Sequence, residues 1–127
     1  MVQNLKLPFY LGGGGPIGSG KQWLPWIHVE DIAGIIMFCV ENDNVEGVLN
    51  GTAPGVASSE EFTKSFASAM CRPHFVPFPA FACNLMFGAE GASIMLEGQK
   101  VLPKKTLDLG YTFKYPDILS ACKELVL

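Results

Sequence analysis

Residues 11–35 read LGGGGPIGSGKQWLPWIHVEDIAGI, and the fold turns on what the glycines do there. Gly13, Gly15 and Gly18 match G-x-G-x-x-G, while Gly15, Gly20 and Lys21 match G-x-x-x-x-G-K. Both patterns describe phosphate loops that lie between a strand and a helix, with the phosphate on the helix N-terminus. The surroundings do not supply those parts. Gln22 stands where a Mg²⁺-binding Ser or Thr is required, and Pro25 falls inside the helix that should follow Lys21. Upstream, Pro8 leaves only Phe9-Tyr10-Leu11 as a strand. A dinucleotide site also needs an acidic residue ending a second strand about 20 residues on, and Val40-Glu41 instead ends a helical pattern. The glycines therefore read as a turning loop.

After the loop, QWLPWIHV (residues 22–29) is aromatic and β-branched, but Pro25 forbids a central ladder position, so an edge strand or extended segment is expected. Glu30–Glu41 reads as a helix opened by two acids, which suit the positive end of the helix dipole. It is apolar on nearly every side, which predicts burial on more than one face. His28 beside Glu30 and Asp31 has the composition of an acid–base cluster and, more simply, of a helix start. GVLN (47–50) fits a buried strand, and Ser58-Ser59-Glu60-Glu61 a capping box opening a helix to Met70, with Phe62, Phe66 and Ala69 on one face. Residues 1–11 are too short and broken by Pro8 to define an element. Further on, Phe75–Phe78 and Tyr111–Tyr115 read as short strands. Helices are expected over Ala80–Phe87 and Ser93–Glu97, parted by Gly88 and Gly91, over Lys104–Leu109 ended by Gly110, and over Asp117–Val126 behind Pro116.

Composition bounds the function. The chain has 127 residues, enough for one modest domain, and a net charge of −3. Its basic residues are scattered, with Lys104-Lys105 the one adjacent pair, which argues against a nucleic-acid partner. Hydrophobic residues make up 49% and charged residues 17%, apolar for so small a domain. A membrane span does not explain this. The longest apolar run, Ile32–Val40, is less than half of the roughly 20 residues a span needs. We expect instead apolar faces that a larger body covers, or self-association through them. No signal-peptide pattern follows Met1, and Cys39, Cys71, Cys83 and Cys122 are widely spaced, so an intracellular chain with reduced thiols is expected, its compartment left open. Cys71-x-x-His74 has no second ligand pair at usable spacing, so no metal site is expected.

GGGGPIGSGKQWLPWIHVEDIAGI, GVLNGTAP and MLEGQKVLPKKTLDLGYTFKYPDI together resemble one family, the epimerase family proteins of the 39U branch of atypical, extended short-chain dehydrogenase/reductases. The resemblance covers residues 6–127 and is to the C-terminal portion of that family, with a C-terminal domain of unknown function from about Phe75. It implies an α/β fold: the C-terminal part of a Rossmann fold, with its last sheet strand and a small substrate-side cap, incomplete on its own. It divides the chain into a remnant of the NAD(P)-binding domain with the substrate-side loop (1–57) and the cap (58–127).

The family's nucleotide loop and Tyr-x-x-x-Lys pair precede the matching part. Tyr10, Tyr111 and Tyr115 are followed four residues later by Gly14, Tyr115 and Leu119, so none supplies that pair. The resemblance thus implies NAD or NADP as cofactor and a small-molecule substrate for the longer protein, with no cofactor bound by this chain alone. Gln22, Trp23, Trp26 and His28 would border the substrate cleft. The alternative is non-enzymatic: a truncated isoform or fragment, beginning within an element, that acts as an interaction module.

Overall fold

The structure is a computed structural model describing residues 2–127. Six helices and one two-residue ladder run in the order α1 (Val2–Tyr10), β1 (Trp23–Leu24), α2 (Val29–Glu41), β2 (Ala57–Ser58), α3 (Ser59–Ala69), α4 (Ala80–Glu97), α5 (Lys104–Asp108) and α6 (Ile118–Val126) among the described residues. β1 and β2 pair antiparallel, Trp23 opposite Ser58 and Leu24 opposite Ala57. This is a partial α/β fold.

α3 is the centre of the molecule. Its start is the capping box expected from sequence: the Glu61 amide donates to Ser58 Oγ, and the Ser58 amide donates to the Glu61 carboxylate. Its apolar face carries Phe62 and Phe66, which are stacked with ring centroids 6.1 Å apart, and Phe9 meets Phe66 edge-on at 5.1 Å. Leu5, Leu24 and Cys122 complete this core, drawing α1, β1 and α6 onto α3. Residues on both sides of position 57 thus share one core.

Several elements differ from the sequence expectation. α1 is a helix despite Pro8, because Leu5 and Phe9, four residues apart, are buried on the same face. Packing outweighs the hydrogen bond proline cannot donate. GVLN forms no strand: Val48 is 84% exposed and the segment has no neighbour to pair with. α2 is buried along one face only. Ile35 and Asp31 point inward, whereas Ile36, Met37 and Val40 are more than half exposed. Phe75–Phe78 contributes a single parallel bridge, Ile17 to Phe78. The two helices expected over 80–97 are joined as α4 across a kink at Gly88 (φ 75°, ψ 170°), with no break at Gly91. Tyr111–Tyr115 is extended coil, pinned by a side chain described below. α5 is followed by Gly110 at φ 94°, as expected. α6 begins one residue later than expected, with Asp117 as its N-cap.

Candidate functional site

The glycine loop is held together internally. The amides of Gly13, Gly18 and Gly20 donate to the carbonyls of Pro8, Phe78 and Ile17. The Lys21 amide faces Ser19 Oγ. The loop then enters β1, not a helix. Gly15 is where the need for glycine is plainest, since a Cβ there would lie 1.8 Å from the Val76 carbonyl oxygen. A phosphate cradle needs several free amides converging on one point at a helix N-terminus. The amides of Gly13, Gly18 and Gly20 are engaged with the protein's own carbonyls, and the loop leads into a strand, so no helix N-terminus stands behind it to receive a phosphate.

Gln22 locks the loop in place. Its amide nitrogen donates to the carbonyls of Ile17 (2.8 Å) and Met95 (2.9 Å), and its oxygen accepts from Ser19 Oγ. Both ends of the side chain are thereby committed to holding loop and α4 together. Trp23, 39% exposed, carries the Lys100 ammonium 4.8 Å above its ring. Its carbonyl accepts from the Gln99 amide.

Trp26, which also shares a small pocket with Trp23, and His28 line a groove of about 420 Å³, open to solvent on one side, between α1, α3, α6 and segment 25–29. Trp26 donates its indole N–H to the Gly55 carbonyl at 2.7 Å, which fixes the ring. His28 is buried and is the N-cap of α2: Nδ1 accepts from the Glu30 amide (3.2 Å), and Nε2 lies 2.7 Å from a Glu124 carboxylate oxygen on α6. An acceptor role for Nδ1 leaves the neutral ring's proton on Nε2, facing Glu124. The ring also packs on Tyr115 at 4.0 Å. Of the four sequence candidates, the structure brings Trp26 and His28 to one groove and leaves Gln22 and Trp23 outside its wall.

The acids beside His28 serve other partners. Glu30 pairs with Lys114. Asp31 is fully buried and holds the 111–115 segment: Oδ1 accepts from the Lys114 amide (2.7 Å) and the Tyr111 hydroxyl (3.1 Å), and Oδ2 from the Tyr115 amide (2.8 Å). Burial, then the Asp31 hydrogen bond and charge, hold the Tyr111 hydroxyl above its ordinary pKa. The geometry is thus a helix start whose carboxylate organises a neighbouring segment and, through Tyr115, the ring of His28. Sequence reasoning missed this hub. Its one signal was a second acid, Asp31 after Glu30, in the first turn of a mostly apolar helix.

His74 is bonded to Thr63 Oγ1, with Nε2 at 2.8 Å, and no group of three His, Cys, Asp or Glu is placed to hold a metal among the described residues. The four cysteines are free thiols. No helix among the described residues is long and apolar enough to cross a membrane.

Comparison with known proteins follows the same lines. A family profile described as a domain of unknown function (DUF1731) matches residues 78–125. Epimerase family protein SDR39U1 of Bos taurus is 44% identical over 126 residues, 98% of this chain and 43% of its own length. The crystal structure of human epimerase family protein SDR39U1 (isoform 2) with NADPH superposes with a TM-score of 0.92 at 46% identity, covering 98% of this chain and 42% of that one. A nucleoside-diphosphate sugar epimerase from Corynebacterium glutamicum shares the fold at a TM-score of 0.63 and 26% identity, over 92% of this chain and 21% of that one. The chain therefore spans less than half the length of the relatives it matches.

Proposed function

We propose that this chain, which corresponds over nearly its whole length to the C-terminal portion of epimerase family proteins, is the substrate-side part of an NAD(P)-dependent dehydrogenase or epimerase and is catalytically inert by itself. The human relative was crystallised with NADPH, which favours NADP as the cofactor of the longer protein. The observation that carries the reading is the committed glycine loop. The amides of Gly13, Gly18 and Gly20 serve internal carbonyls, the loop runs into β1 and not into a helix, and none of the three tyrosines is followed by lysine at the proton-transfer spacing. What the chain does offer is a groove of small-molecule size walled in part by Trp26 and His28. Its part in catalysis is to shape and orient a substrate. Hydride transfer belongs to a nicotinamide held by residues outside this chain.

The exposed face of α2 supports the same reading. Ile36, Met37 and Val40, together with Val48 in the extended GVLN segment, form the seam to a cofactor-binding body. Nicotinamide fluorescence tests the proposal: the 127-residue chain leaves NADPH emission unchanged, and saturable binding at micromolar concentration overturns it. The same exposed residues favour one further reading, an interaction module that buries them against another copy. A sizing column separates the two, since the module predicts a discrete dimer with a cooperative melt.

A further inference from the structure

Among the described residues, the broad packings of the molecule join α3 to α6, β1 and β2, and β1 to β2; α4, the longest helix, has none with any other helix or strand. Its buried residues form a cluster of their own. Cys83, Ala92 and Met95, on both sides of the Gly88 kink, close around Ile17 of the glycine loop. This cluster and the core on α3 have no buried residue in common, and Phe87 is the side chain that touches both. Small clusters set apart from the main core are where proteins open locally, at less cost than global unfolding.

The glycine loop is the dock for this unit. It is fixed to the body at both ends: the Gly13 amide donates to the Pro8 carbonyl, and the Gly20 carbonyl accepts from the Glu60 amide at the start of α3. Between those points the Phe78 amide donates to the Pro16 carbonyl (2.8 Å), the Gly18 amide to the Phe78 carbonyl (3.2 Å), and Gln22 to the Met95 carbonyl (2.9 Å). Glycine lets the two parts approach, since a Cβ on Gly15 would strike the Val76 carbonyl and one on Gly18 would lie 2.7 Å from the Leu96 side chain. The docked segment is anchored just outside its ends, where His74 bonds to Thr63 of α3 and the Gln99 amide donates to the Trp23 carbonyl. Inside those anchors, Phe75 and Val76 are exposed, and Gly98 turns the chain at φ 65°. A few such residues are enough to absorb a hinge motion.

We propose that residues 75–98 are a hinged flap, keyed to the glycine loop by Ile17, that opens as one unit and thereby releases the Gln22 amide. In the closed state the Gln22 amide nitrogen serves the carbonyls of Ile17 and Met95. Opening withdraws Met95 and leaves one N–H free, beside Trp23, for a hydrogen-bond acceptor such as a carbonyl or hydroxyl oxygen of a ligand. The inference rests on the reading that Gln22 and Trp23 border the substrate cleft, and it adds that Gln22 reaches a ligand in the open state alone.

Amide hydrogen exchange of the 127-residue chain, read by NMR, tests it. Once undocked, α4 cannot last, because residues 80–87 and 89–97 are each shorter than the roughly 12–15 residues an isolated helix needs. Its amides therefore report the opening. Phe78, Cys83, Met95 and Leu96 are expected to share one protection factor, at least about tenfold below that of Phe66 and Cys122. Ile17→Ala, which removes the key, is expected to lower it at least about tenfold further and leave Phe66 and Cys122 unchanged. In that variant the Gln22 side-chain N–H resonances should move toward those of a solvated glutamine. Flap protection equal to that of Phe66 overturns the proposal, as do unequal protection factors in the two halves of α4. An Ile17→Ala loss as large at Phe66 as at Met95 overturns it too, and unmoved Gln22 resonances overturn the release of Gln22. The unsubstituted chain decides the first two outcomes even if Ile17→Ala does not fold. NADPH fluorescence on the same chain keeps the two claims apart. A flap that opens as expected in a chain that binds NADPH sinks the proposed function and leaves the flap standing. Uniform protection in a chain that leaves NADPH unbound does the reverse.

Discussion

Asp31 decides the local architecture around the candidate site. A fully buried carboxylate with no cationic partner is costly unless its lone pairs are filled. Here they are filled by two backbone amides and a tyrosine hydroxyl from residues 111–115. Asp31→Ala leaves those donors without their acceptor and is expected to destabilise the chain by about 2–4 kcal/mol in urea unfolding. It should also release Tyr115 from the His28 ring, seen as loss of the aromatic ring-current shift on His28. Cys122 gives a pH signature. Its thiol pKa is raised to about 11 in the folded chain, against about 8.5 when unfolded. Between those values the folded state holds a proton that the unfolded state has lost, so stability is unaffected below pH 8 and falls as pH rises through that window. Iodoacetamide at pH 8 should accordingly label exposed Cys71 and spare Cys122 until the chain unfolds.

At the scale of elements, helix boundaries were readable from sequence wherever local chemistry sets them. The Ser58–Glu61 box, the Gly88 kink and the Gly110 stop depend on one or a few side chains or on a single φ, and all three are present. Ser58→Ala should cost about 1 kcal/mol, measured by thermal or urea melts. Strands were not readable in the same way. GVLN and Tyr111–Tyr115 have strand composition, but a strand exists only through its neighbour. GVLN has none in this chain, and 111–115 is drawn to Asp31 instead. α1 escaped notice for the opposite reason: Pro8 is a local signal against a helix, and only the burial of Leu5 and Phe9 on α3 overrides it. Of the candidate site, the proline-and-aromatic segment was legible. The commitments of Gln22 to Ile17 and Met95 and of His28 to Glu124 were not, because these contacts join parts of the chain that no spacing relates.

Taken as a whole, the molecule has a core centred on α3 and an apolar face on α2 that none of the described residues covers. A helix this apolar is ordinarily enclosed on more than one side. Ile36→Lys with Val40→Lys should therefore leave the melting temperature of this chain nearly unchanged, or raise its solubility, since both positions are exposed. In a longer protein joined through that face, the same pair should be severely destabilising. The proposed function has this chain supply the substrate side of a site whose cofactor is held elsewhere. Its most direct test is an NADPH titration of the 127-residue chain alone and of a fusion in which it replaces the matching C-terminal portion of the bovine relative. No saturable binding is expected of the chain, and micromolar binding of the fusion. Micromolar NADPH binding by the chain alone would contradict it.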